Sequence, residues 1–210
     1  MSKNSIHRLL GISTSPRNMS NSDLLLREVI AAAEAAGSEA EYISLNDYTI
    51  APCVECGYCA GTGRCRIEDD YQKIMAKMLS AERIVIATPV FFMSVCAQCK
   101  LLIDRCQCLW SKKYILKKPV ASGHGGRRGM VIAVGGSKSK KMFEAVRLTV
   151  KYFFDALDVE FAGGLFVNRL EAAGEVLERP EAVEAARRFG RELAANGYGE
   201  TDKPRIVELA

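Results

Sequence analysis

The sequence lacks any run near the roughly eighteen consecutive apolar residues of a membrane-spanning helix, so no membrane partner is expected. Its opening stretch, MSKNSIHRLLGIS, lacks the apolar core and small-residue cleavage site of a secretory signal, and the expected compartment is the cytoplasm. There is neither a Walker Gly-Lys-Ser/Thr loop nor a GxGxxG turn, which disfavours nucleoside triphosphates and a firmly held dinucleotide. Nor is there much excess charge. A formal net charge of +4 is too small to imply nucleic-acid binding. Between Lys112 and Lys141 Tyr114 is the one aromatic residue, too few to interleave the charges for stacking bases, so no nucleic-acid partner is expected either. Such a run reads first as a solvated face, and second as a surface that steers an acidic donor.

Cysteine is absent from most of the chain and concentrated where it occurs. Of eight cysteines, four fall between Cys53 and Cys65 and four between Cys96 and Cys108. In a reducing compartment a tight group of thiols reads as a metal or cluster site before it reads as disulfides.

The 210 residues, 49% apolar and 26% charged, suit one soluble α/β domain. His7 to Ile12 is a short apolar strand that breaks into a Ser- and Asn-rich loop. Leu24, Leu25, Val29, Ile30 and Ala33 then recur at helical spacing, and Gly37 stands where a left-handed C-cap belongs. Ala40 to Leu45 is a second strand. Asp69 or Asp70 caps a helix through Ile74 and Met78. Arg83 to Thr88 is a strand buried on both faces, ended by Pro89. The pattern continues with a helix over about 94–110, a Lys-rich connection, a strand over 129–134, a helix over about 141–156, a strand over 159–167 and a last helix over about 180–196. Alternation of this kind predicts a doubly wound five-stranded parallel sheet of order 2-1-3-4-5, with ligands outside the carboxyl ends of the strands.

Three loops then matter at that edge. The first offers Ser13, Ser15, Arg17, Ser20, Asn21 and Ser22 at a helix entry, an anion site if it is more than an ordinary polar loop with a cap. The second, after strand three, offers Pro89, Val90, Phe91, Phe92, Met93 and Ser94, either the wall of a flat ring or two core phenylalanines at a strand end. The third is Gly135-Gly136, which permits close backbone approach. Between the second strand and second helix lies Cys53-Val-Glu-Cys56-Gly-Tyr-Cys59-Ala-Gly-Thr-Gly-Arg-Cys65, within an inserted loop over 52–66. Closely spaced thiols with glycines between them suit the corners of a 4Fe–4S cluster. A structural four-thiolate zinc site and free or redox-paired thiols are the competing readings. Cys96, Cys99, Cys106 and Cys108 are expected as buried thiols on a helix, and His124 as a loop residue.

Together these residues resemble the iron–sulfur flavoprotein family, a branch of the NADPH-dependent FMN reductases in the flavodoxin-like superfamily. The resemblance spans about 7–200 and rests on Ser15-Pro16-Arg17 with Ser20-Asn21-Ser22, the cysteine run, Thr88 to Phe92, and Ala97-Gln98, Lys100 and Ile103-Asp104-Arg105. It departs at Thr14, where the family often has Gly before Ser-Pro-Arg. The resemblance implies one flavodoxin-like domain over 1–210 with FMN and a 4Fe–4S cluster, its phosphate on the Ser15 to Ser22 loop and its ring near Pro89 to Ser94 and Gly135-Gly136. It further implies a homodimer or homotetramer that takes electrons from a ferredoxin-like donor or NAD(P)H and passes them to a small acceptor. Because the cysteine loop follows strand two, it is expected beyond strand one, at the phosphate end of the flavin, and each cluster is expected to serve the flavin of a neighbouring subunit.

Overall fold

A computed structural model describes residues 7–121, 126–195 and 203–210; His124 and Asn196 lie outside them. The elements are β1 (Arg8–Ser13), α1 (Asn21–Ala35), β2 (Glu39–Ser44), α2 (Tyr58–Thr62), α3 (Tyr71–Ser80), β3 (Arg83–Phe91), β4 (Ser94–Val95), α4 (Ala97–Arg105), α5 (Gln107–Trp110), β5 (Arg128–Val134), α6 (Met142–Ala156), β6 (Glu160–Val167), α7 (Pro180–Ala194) and β7 (Arg205–Leu209). No described helix is long and apolar enough to cross a membrane.

The parallel strands run in the order β2-β1-β3-β5-β6-β7, and β4 pairs antiparallel with the end of β3. This corrects the expected five-stranded sheet of order 2-1-3-4-5. The first five parallel strands keep that order, and two further strands, β4 and β7, join the sheet. The tail returns after α7 and lies beside β6, from Gly163↔Arg205 to Val167↔Leu209. Gly163 makes the approach possible, because a Cβ there would sit 2.2 Å from the Arg205 carbonyl oxygen. The other added strand, β4, closes a two-residue hairpin, in which Phe92 and Met93 take left-handed φ angles of 48° and 65°. Tight hairpins need this geometry, but Asn and Gly normally supply it, so the sequence carried no turn signal there.

Pro89 does not end β3 but pairs opposite Val134 within it. β1 accompanies β3 only as far as Ala87, and proline is tolerated where a strand has lost a neighbour. The continuous helix expected over 94–110 is likewise divided: Ser94 and Val95 go to β4, Cys106 interrupts the helix, and a wide helical turn carries the chain on over Ser111–Ile115.

Local chemistry explains the helix ends. The Ser20 hydroxyl accepts from the Asp23 N–H at the start of α1. At its end Ser38 N–H donates to Ala33 O and Gly37 N–H to Glu34 O, with Gly37 at φ 94°, the paired closure of a left-handed C-cap. At α3 the Asp69 carboxylate accepts from the Tyr71 N–H while Gln72 accepts from the Asp69 N–H, a reciprocal cap.

Alternation along β3 divides the core. Ile84 and Ile86 face α3, α4 and α6 through Ile74, Met78, Leu102, Val146 and Phe154, whereas Val85 and Ala87 face α1 and α7 through Leu25, Val29, Ala186 and Phe189. With both faces covered, the carboxyl edge of the sheet is where loops are free to build a site.

Candidate functional site

At that edge a cleft of about 450 Å³ is lined by Ser15, Arg17, Ser20, Asn21 and Ser22 from the first loop, by Pro89, Val90 and Phe91 from β3, and by Gly135 and Gly136 after β5. Loops far apart in sequence thus meet, as expected. Ser13, Phe92, Met93 and Ser94 do not line it. Ser13 is buried in β1, and the hairpin turns Phe92 fully outward at 103% exposure. Val134, Ser137, Leu170, Glu171 and Ala173 complete the wall. The last three belong to the loop after β6, which carries no glycine pair or hydroxyl cluster to mark it.

The first loop is shaped for an anion. Helical geometry leaves the first N–H groups of α1, including those of Asn21 and Ser22, without intrahelical acceptors, and the positive end of the helix dipole faces the same way. The Ser15 hydroxyl accepts from the Arg17 N–H at 3.2 Å, and Met19 takes a left-handed φ of 53° as the chain turns into the helix. Thr14 points inward: its N–H and hydroxyl both donate to Ala87 O at 2.9 Å, and Cys96 Sγ donates to Thr14 O at 3.0 Å. The departure at Thr14 therefore pins the loop to β3 and α4. Asn21 has its side chain committed within the protein, donating to Ala172 O at 2.8 Å and accepting from the Val176 N–H at 3.1 Å. Its main chain, not its amide group, is what it offers to a ligand.

Cys53, Cys56, Cys59 and Cys65 line a second cavity, of about 690 Å³, walled by the ends of α4 and α5 and by Thr149, Tyr152, Phe153 and Ala156 of α6. α6 packs on β5 and β6, so the cysteine loop reaches across the helical face from its origin at β2. This corrects the expectation that it stays beyond strand one. The left-handed Glu55, Gly57 and Gly63 (φ 49°, 71° and 68°) turn the loop around its thiols. Among the described residues no group of three or more His, Cys, Asp or Glu side chains converges as a single-ion site. Four cysteines that line one cavity suit a multi-atom cluster. A lone zinc would need them about 2.3 Å from one centre.

The wall behind these thiols is polar and buried. Ser111 donates its hydroxyl to Cys59 Sγ at 3.5 Å. The Tyr71 hydroxyl lies 3.5 Å from Cys106 Sγ and 3.4 Å from Cys108 Sγ. Burial pushes the Cys106 thiol up to about 12, and raises Cys108 and Tyr71 as well. All four cysteines of the second group are buried, as expected. Arg105 forms a fork on Asp69, with contacts of 2.6 and 3.1 Å. Burial would raise the Asp69 carboxyl, but this fork and the Ala51 and Tyr71 N–H groups hold it below its ordinary value.

The comparisons agree with this geometry. The family described as NADPH-dependent FMN reductase matches residues 7–157. An iron–sulfur flavoprotein of Methanocaldococcus jannaschii is 32% identical over 197 residues, covering 89% of this chain and 95% of its own length. One from Archaeoglobus fulgidus is 32% identical over 158 residues, covering 75% and 77%. Among solved structures, an NAD(P)H:quinone oxidoreductase from Methanothermobacter marburgensis superposes with a TM-score of 0.69 at 16% identity, over 91% of this chain and 98% of that one, which shows the flavodoxin-like fold. With one match spanning most of the chain and a relative covered nearly end to end, the chain belongs to the NADPH-dependent FMN reductase family, among its iron–sulfur flavoproteins.

Proposed function

We propose that the chain is a single-domain oxidoreductase, residues 1–210, that holds FMN in the cleft at the carboxyl edge of the sheet and a 4Fe–4S cluster on Cys53, Cys56, Cys59 and Cys65. Its task is to pass electrons between them. The observation that carries this reading is the pairing, on one chain, of an anion-shaped cleft with a separate cavity ringed by the four thiols. In the cleft Arg17 and the N–H groups of Asn21 and Ser22 hold the phosphate, while Pro89, Val90, Phe91 and the backbone at Gly135-Gly136 bound the ring. A Cβ at Gly135 would meet Met142 Sδ at 2.7 Å, so this backbone is already closely packed from behind. Ser111 supports Cys59 from the protein side. When bound, a cluster supplies single electrons and FMN takes up two, so together they convert one-electron supply into two-electron reduction.

The relay fits an oligomer better than an isolated chain. The two cavities share no lining residue. From Met142, against Gly135, to Thr149, the nearest α6 residue on the cysteine cavity, α6 advances about 10 Å along its axis. Val54, Trp110 and Tyr152 on the rim of the cysteine cavity, and Phe92 beyond the cleft, are exposed apolar residues that a second copy would cover. These features favour a homodimer or homotetramer with each cluster facing a neighbour's flavin, and the compartment proposed is the cytoplasm. The donor is a ferredoxin-like protein or NAD(P)H and the acceptor a small molecule. The alternative, an NAD(P)H-dependent FMN or quinone reductase with structural zinc on the same four cysteines, shares the cleft and is separated by the iron and zinc content of the purified protein.

Stopped-flow reduction by a one-electron donor tests the assignment. Cys59→Ala is expected to keep FMN and its reduction by dithionite while losing fast donor-to-flavin transfer; an unchanged transfer rate would count against it.

A further inference from the structure

Behind the cysteine cavity stands a buried arginine with one idle donor. Arg105, the last residue of α4, has a fully enclosed side chain. Its Nη1 donates to Ala51 O at 2.7 Å and to Asp69 Oδ2 at 2.6 Å, and its Nη2 donates to Ile67 O at 3.1 Å and to Asp69 Oδ1 at 3.1 Å. The guanidinium lies over the Tyr71 ring at 4.7 Å, which fixes its plane. These bonds use the terminal N–H groups and leave Nε–H. Arg105 Nε is buried without a partner. An interior donor left unmet is costly, so its persistence calls for an acceptor that belongs to the occupied site. Arg105 and Cys65 line the same cavity. Burial disfavours the Arg105 cation, yet the Asp69 carboxylate and the neighbouring Cys65 raise its pKa.

We propose that Arg105 is a positioning residue of the iron–sulfur site, clamped by Asp69 so that its Nε–H donates to the Cys65 sulfur and raises the reduction potential of the cluster. The inference rests on the reading of the cysteine loop as a cluster site. A charged donor on a ligand sulfur stabilises the more negative, reduced cluster more than the oxidised one, and hydrogen bonds to sulfur are an established lever on such potentials. Asp69 does not cancel the effect outright, because it occupies the opposite, Nη side of the fork. The arrangement differs from a purely structural clamp in one respect: a clamp would need Nη1 and Nη2 but has no use for Nε.

The test is an EPR-monitored redox titration of the anaerobically purified protein beside its Arg105→Lys and Asp69→Asn variants, with iron and sulfide counted. Lysine keeps the cation and can still meet Asp69, but has no Nε–H in a guanidinium plane. With iron and sulfide contents equal to wild type, the reduction equilibrium of the Arg105→Lys cluster is expected to fall about tenfold, which for one electron is about 59 mV. Electron–nuclear double resonance after transfer to heavy water is expected to find an exchangeable proton coupled to the reduced wild-type cluster and absent from the lysine variant. Should Arg105→Lys fail to fold, Asp69→Asn, which keeps the Nε–H donor and removes the carboxylate that offsets its charge, is expected to shift the potential the opposite way, upward, and to keep the exchangeable proton. An unaltered midpoint in whichever variant folds, or a wild-type cluster without the exchangeable proton, overturns the inference. A wild-type protein free of iron and sulfide instead overturns the reading of the loop on which it stands.

Discussion

Asn21 joins two walls of the cleft, and replacing it should loosen both. Asn21→Ala removes the bond to Ala172 O and the acceptor of the Val176 N–H. Val176 is fully buried, so its stranded N–H costs about 1–3 kcal/mol, and the lost amide bond adds about 1 kcal/mol net. The expected destabilisation is about 2–4 kcal/mol, read from urea unfolding of the FMN-free protein. Leu170, Glu171 and Ala173 line the cleft on the same loop, so part of this loss should appear in binding. If about 1.4 kcal/mol passes through, the FMN dissociation constant rises about tenfold. Asn21→Asp separates the two effects. It keeps an acceptor for Val176 and should lose about 1 kcal/mol of stability, yet it places a carboxylate at the anion site and should weaken FMN at least as much as alanine does. Stability of Asn21→Ala within about 0.5 kcal/mol of wild type, the range of an ordinary surface substitution, would refute the reasoning.

Two other outcomes follow from packing and burial. A Cβ at Gly190 would stand 2.2 Å from Val29 O and 2.9 Å from Ala32 Cβ, so Gly190→Ala must push α7 from α1, at a cost of about 1–3 kcal/mol; a thermal midpoint equal to wild type would contradict the close helix crossing. The buried Cys106 thiol ionises near 12 in the folded chain against an ordinary 9.0, so unfolded protein loses this proton first. The stability it contributes is complete below about pH 9 and is lost as the pH rises towards about 12. Stability of Cys106→Ala should accordingly fall by about one proton less steeply across that window, and an identical slope would count against a neutral buried thiol.

What the sequence made legible was local. The apolar runs of β1, β3 and β5, the helical spacing of α1 and the C-cap at Gly37 are short-range signals, and they were enough to order the sheet and bring three loops to one edge. The cysteine run was legible for the same reason. What escaped depended on distant partners. β7 is a strand because Gly163 lets the tail approach β6, and nothing in Arg205 to Leu209 announces that. Pro89 continues β3 because β1 has already ended. Glu171 lines the cleft through a loop held by Asn21, far away in sequence. Arg105 was visible as part of a motif, but its engagement with Asp69, 36 residues upstream, is a tertiary fact.

The central claim, that the thiol-ringed cavity holds an iron–sulfur cluster on the same chain as a flavin, is tested most directly by counting iron, sulfide, zinc and FMN per chain in anaerobically purified protein, with its EPR spectrum after reduction. About four irons and four sulfides, with flavin and a reduced-cluster signal, is the result predicted. Stoichiometric zinc with neither iron nor sulfide would contradict it.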